Sequence, residues 1–153
     1  MTTQVRNEAP KTNTKLLDVA LLLKDAGAIT ADGVTQVDGA DKVLEIGHGR
    51  YTGEIVVDIT AIDVASGNES YAIRTQFSDD AGFASGVVNG ATLEVGAAVS
   101  GADATEAGRY VLPFTNVVGD VQRKYMRVFV DVGGTSPSID FQAFVGKLDG
   151  FAS

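Results

Sequence analysis

The side chains that could move a proton, attack a carbonyl or hold a metal are few in this chain of 153 residues. It has no cysteine, no tryptophan and one histidine. The missing cysteine closes disulfide scaffolds, thiolate zinc sites and thiol nucleophiles together. A single histidine, His48, excludes a multi-histidine metal cluster. His48 sits in the one glycine-rich loop, Gly47-His48-Gly49-Arg50-Tyr51-Thr52-Gly53. A dinucleotide fingerprint spaces its glycines two and then three apart, between a strand and a helix. Here the second spacing is four and a strand pattern follows, so no helix N-terminus is offered to a phosphate. The loop reads as a tight turn, and His48 as an exposed turn residue with no neighbour to orient it as a base.

The remaining candidates are carboxylates, tyrosines and one basic cluster. Asp79-Asp80 could contribute to a structural calcium site, but the Asp-x-Asp-x-Asp-Gly spacing is absent and solvated turn residues are the simpler reading. No Gly-x-Ser-x-Gly elbow is present for acyl transfer. Asn68-Glu69-Ser70 fits a glycosylation acceptor but reads as a turn. Tyr51, Tyr71, Tyr110 and Tyr125 could form a sugar-binding platform, yet they fall in or beside strand patterns, which favours packing roles. Arg123-Lys124-x-x-Arg127 suits a carboxylate patch on another chain, or else a loop followed by a solvent-facing sheet position. No catalytic residue, metal or cofactor is expected. The chain reads as a non-enzyme that works by binding.

The elements that carry these residues follow from patterning. Hydrophobic residues make up 44% and charged residues 21%, the balance of a globular domain. A net charge of −8 opposes broad contact with DNA or RNA. Residues 1–15 carry Arg6, Lys11 and Lys15 against Glu8, a local +2, so the rest of the chain carries −10. With Pro10 and few large apolar side chains, this segment is expected to be a flexible, mildly basic arm, with residues 16–153 forming the domain. Met1 to Thr14 lacks the apolar centre of a signal peptide. The apolar run Leu16 to Leu23 is broken by Asp18 and is far short of a bilayer span. The expectation is no membrane contact, and an intracellular protein or one released by a route other than secretion.

Leu16 to Lys24 leans to strand over helix. Beyond it, apolar residues alternate with polar ones: Ile55, Val57 and Ile59; Tyr71, Ile73 and Phe77; Tyr110, Leu112 and Phe114; Met126, Val128, Val130 and Val132; Phe141, Ala143 and Val145. A period of two with one polar face marks half-buried antiparallel strands. Turn residues recur between these runs, at Asp38-Gly39, Ser66-Gly67-Asn68, Asn89-Gly90 and Gly133-Gly134 among others. Seven or eight such strands predict an all-β, antiparallel two-sheet sandwich of jelly-roll type. Val87 to Gly108, rich in Gly and Ala, reads as a long connection holding at most one weak strand at Thr92 to Val95.

The order of several short motifs resembles the capsid cement, or decoration, proteins of tailed double-stranded DNA bacteriophages. These motifs are Leu21-Leu22-Leu23-Lys24-Asp25-Ala26, Glu45-Ile46-Gly47-His48-Gly49-Arg50 and Thr75 through Phe83. Gly108 through Phe114, Arg123-Lys124-Tyr125-Met126-Arg127 and Val132-Gly133-Gly134-Thr135 follow. The resemblance runs over roughly residues 16–149. It implies a jelly-roll sandwich on the outer capsid surface of the virion, made in the host cytoplasm. It further implies homotrimers that bridge neighbouring major capsid protein subunits and stabilise the mature shell, without catalysis. Lys11, Lys15, Arg123 and Lys124 are the expected contact residues. Two other readings stay open: a different virion component, such as a head fibre base or tail-associated protein, and a carbohydrate-binding module.

Overall fold

The computed structural model describes residues 21–47, 49–99 and 107–151. The arm at 1–15, with Lys11 and Lys15, and the turn residue His48 lie outside the described residues. Among the described residues every regular element is a strand. Six short strands come first: β1 (Leu22–Lys24), β2 (Ala28–Ile29), β3 (Gly33–Val34), β4 (Gln36–Val37), β5 (Ala40–Asp41) and β6 (Leu44–Glu45). Long strands follow: β7 (Arg50–Ile62), β8 (Ser70–Ser78), β9 (Val88–Val95) and β10 (Gly108–Thr115). A small hairpin of β11 (Val117–Val118) and β12 (Val121–Gln122) leads to β13 (Tyr125–Gly133) and β14 (Ile139–Phe151).

The main strands form two antiparallel sheets, β1-β14-β7-β10 and β3-β13-β8-β9, while β4 with β5 and β11 with β12 pair as separate two-stranded hairpins. β2 also pairs with β14, and β6 also pairs with β13. Numbered along the chain, the eight principal strands stand in the orders 1-8-3-6 and 2-7-4-5. This is the interleaving of a jelly roll, in which each sheet is completed by strands distant in sequence. The first two positions are each broken into two short pieces, β1 with β2 and β3 with β6. Strands of two or three residues carry no readable period; of these, β1 falls in the stretch that leaned to strand, Leu16 to Lys24, of which residues 16–20 lie outside the described residues.

The alternation sets the core. Ile55, Val57 and Ile59 of β7, Ile73 and Phe77 of β8, Met126, Val128 and Val130 of β13, and Phe141, Ala143 and Val145 of β14 are all buried between the sheets. Their intervening neighbours face outward, as the period of two requires. The outward face of the first sheet is not wholly polar. Val56 and Phe144, paired across β7 and β14, are buried there with Leu22, and Val37 packs on them.

The region from Val87 to Gly108 corrects an expectation. Val88–Val95 is a full edge strand paired along β8, longer than the one weak strand expected at Thr92 to Val95. The glycine that suggested a loop is there for packing. A Cβ on Gly90 would lie 2.7 Å from the Phe77 ring and closer still to the Thr75 hydroxyl. Register slips by one residue beside it, between the partners of Arg74 and Gln76. That is a β-bulge, which places Gly90 and Ala91 opposite a single residue.

Along the side formed by β1 to β6, side chains stitch the two sheets together. The buried Thr35 hydroxyl donates to the Leu23 carbonyl at 2.8 Å, and the Val128 carbonyl of the other sheet lies 3.3 Å from the same oxygen. Lys24 is buried, and its ammonium donates to the carbonyls of Asp25, Gly27 and Phe141 at 2.6–2.8 Å, which uses all three of its N–H groups. Burial lowers the Lys24 pKa, against the raising effect of Asp140 and Asp25.

Candidate docking surface

Three loops meet at one end of the sandwich: the turn between β6 and β7, the loop between β8 and β9, and the segment from β10 to β13. The first and third are joined by Asn116, which is fully buried. Its side-chain oxygen accepts from the Tyr51 N–H at 2.7 Å. Its amide nitrogen donates to the carbonyls of Gly49 and Arg123, both at 2.9 Å. Its own N–H and carbonyl pair with Tyr51 and Arg123. One asparagine therefore satisfies backbone groups of two loops that would otherwise be buried without partners.

The β8–β9 loop is held as firmly. The Asp80 carboxylate accepts from the N–H groups of Gly82 and Ala84 at 3.0 and 2.9 Å, and the Ser78 hydroxyl donates to the Ser85 carbonyl at 2.8 Å. Those two backbone donors hold the Asp80 pKa below the ordinary carboxylate range. Phe83 is buried with φ at 54°, a left-handed conformation that is unusual for a bulky side chain. Such residues persist only where their surroundings fix them, and they concentrate at functional sites. Here the fixing partner is Arg127, whose guanidinium lies 4.4 Å from the Phe83 ring centroid. Arg127 Nε also donates to Gln76 Oε1 at 2.8 Å. Burial lowers its pKa, while Asp41 acts to raise it.

The basic cluster expected from the sequence sits at this junction. Arg123 is half-buried and lies 3.7 Å from the Asp79 carboxylate. Asp79 also accepts from the Lys124 N–H at 3.1 Å, so the acidic pair is engaged with protein groups. The Lys124 ammonium stands 5.4 Å from the Tyr125 ring centroid. The N–H groups of Ile46 and Gly47 donate to the Lys124 carbonyl at 2.7 and 3.3 Å. Of the three exposed large apolar side chains among the described residues, Val121 in the β11–β12 hairpin lies two residues before Arg123, and Val87 follows Gly86, where a Cβ would stand 4.0 Å from the Arg123 guanidinium. The result is a mixed surface of basic and apolar groups, with no reactive pair among its described residues.

No family model matches the chain, and no curated protein matches it.

The other sequence candidates are dispersed. Tyr71 is buried at the far end of the sandwich, where its hydroxyl lies 2.7 Å from the Asp63 carbonyl and accepts from the Ser138 N–H at 2.9 Å. Burial raises its pKa. Asn68 bonds to Thr135 through both its amide nitrogen and its oxygen, in the turn that the sequence predicts. Tyr51 and Tyr110 pack against the core rather than forming a platform. Among the described residues no group of three or more His, Asp or Glu is arranged to hold a metal ion. Asn116 escaped the sequence reading because an asparagine after a strand has the signature of any turn. Its burial depends on β7, 65 residues earlier in the chain.

Proposed function

We propose that this protein is a capsid cement protein. It decorates the outer surface of a tailed bacteriophage head and bridges neighbouring major capsid protein subunits, as a homotrimer, with the Arg123–Lys124 end among its contacts. The observation that carries the proposal is convergence. Three of the motifs behind the resemblance, Glu45 to Arg50, Thr75 to Phe83 and Arg123 to Arg127, are far apart in sequence. They meet at one end through the Ile46–Lys124, Asp79–Lys124, Gln76–Arg127 and Phe83–Arg127 contacts. Shared motifs that meet in space are what a common docking surface requires.

The physics suits the task. A clasp must hold its loops in one geometry, because ordering them on binding would subtract from affinity. Repeating one contact in a trimer raises avidity by about 10² to 10⁴ without any new chemistry. Binding only the mature shell stabilises that shell by mass action. A cryo-EM map of the intact phage particle tests the reading. Density for this fold on the outer shell, with the Arg123 end toward the capsid, is expected. Density on the tail, or none at all, would overturn the proposal.

A further inference from the structure

Each sheet ends, on the side away from β1 to β6, in an edge strand: β10 in one and β9 in the other. The two edges differ. β10 carries Pro113, which has no N–H to offer, and proline is a standard guard on edge strands. β9 has neither proline nor lysine. Its apolar side chains Val88, Ala91 and Leu93 pack against the core but stay only half-buried. Among the described residues no strand pairs with its outer edge.

The bulge in β9 decides what can pair there. Val88, Gly90, Ala91 and Leu93 face the core, because the first, third and fourth pack on it and Gly90 abuts Thr75 and Phe77. Asn89 faces outward, where its side-chain oxygen accepts from Gln76 at 3.1 Å, and Thr92, opposite Arg74, is exposed. The order in-out-in-in-out-in reads the same in both directions about the Gly90–Ala91 bond. A regular strand alternates without a break and would place half its side chains on the wrong face. An antiparallel second copy of the same edge matches at every position. Val88 meets the partner's Leu93, Asn89 meets the partner's Thr92, and Gly90 meets the partner's Ala91. Glu94 is the one charge on the strand and lies outside the six paired residues, so it does not meet its own copy.

We infer that β9 is a two-fold self-association edge, in which two copies join their β3-β13-β8-β9 sheets into one continuous sheet. This contact is independent of any shell and can coexist with a trimer formed through other surfaces. Sedimentation velocity on the full chain, as a concentration series up to the millimolar range, tests it. The wild type is expected to show a species whose mass doubles with concentration. Asn89→Lys combined with Thr92→Lys sets like charges opposite each other twice, and is expected to weaken the association at least about tenfold. Asn89→Glu combined with Thr92→Lys sets opposite charges there, and is expected to associate at least as tightly as the wild type. Both positions are exposed, and melting temperatures within a few degrees of wild type verify folding. Should either pair fail to fold, Thr92→Pro, which adds no charge, is compared with Val111→Lys on the β10 edge. Only the β9 change is then expected to weaken association. A wild type with no doubling, two charge pairs that behave alike, or sensitivity at Val111 but not at β9 would overturn the inference.

Discussion

The two ends of the sandwich hold their loops with the same chemistry and leave different surfaces. At the Tyr71 end, polar groups turn inward. The Tyr71 hydroxyl joins the Asp63 and Ser138 segments, and the buried Glu69 carboxylate accepts from the Ser66 N–H at 2.8 Å. Gly134 lies so close to the Asn68–Glu69 backbone that a Cβ there would stand 2.6 Å from the Asn68 carbonyl, and its φ of 103° favours glycine. At the Arg123 end, Asn116 and Asp80 do comparable work on the backbone. That same scaffold supports Phe83 in a strained conformation, a lysine over a tyrosine ring and two exposed valines. One end is built to stay shut. The other spends its hydrogen bonds on holding side chains outward.

Substitutions can separate these roles. The largest effect is expected from Asn116→Ala, which leaves the Tyr51 N–H and the Gly49 and Arg123 carbonyls without their side-chain partner. It should cost about 3 kcal/mol, a fall of roughly 6–12 °C in melting temperature by calorimetry, and should also weaken shell binding. Tyr71→Phe strands the Ser138 N–H at the opposite end. It should cost about 2 kcal/mol, yet leave shell binding per folded molecule unchanged. If Tyr71→Phe weakened binding as much as Asn116→Ala, the division between the ends would be wrong.

Acid should act on both ends more gently. At Glu69, burial acts to raise the pKa, but hydrogen bonds from the Ser66 segment outweigh it and the net shift is downward. Asp80 is lowered by its two backbone donors. Both groups bind fewer protons folded than unfolded at mildly acid pH. Their stabilisation is therefore complete above the ordinary carboxylate range and is lost as pH falls through the folded values. Melting temperature is expected to hold from pH 7 to about 5 and to decline below about pH 4.5. Glu69→Gln should flatten part of that decline. A flat profile down to pH 3 would contradict both assignments. The smallest effect on stability is expected from Lys124→Glu with Val121→Asp, both at the surface of the Arg123 end. This pair should move the melting temperature by no more than about 2 °C.

Most of the fold was legible where strands are long. The alternation in β7, β8, β10, β13 and β14 could be read because each carries at least three core-facing side chains at period two. β9 was only half legible. Gly90 resembles a loop residue until Thr75 and Phe77 are seen to leave no room for a Cβ there. β1 lies within the stretch that leaned to strand, Leu16 to Lys24, whereas the short strands β2 to β6 were hidden because their order comes from Thr35, Lys24 and other contacts distant in sequence. The Val56–Phe144 cluster was hidden because a sheet face is assigned as polar from most of its residues, not all. At the site, the basic cluster and Asp79-Asp80 were visible as residue types. Their mutual contact was not, since 44 residues separate Asp79 from Arg123.

The central claim is that the Arg123 end grips a phage shell through outward side chains on a rigid scaffold. Co-sedimentation of the full chain with mature heads stripped of it tests this most directly. Wild-type protein should pellet with the heads at a fixed ratio to the major capsid protein, and the Val121→Asp, Lys124→Glu variant, equally folded, should stay in the supernatant. Wild type that never pellets, or a variant that pellets just as well, would contradict the claim.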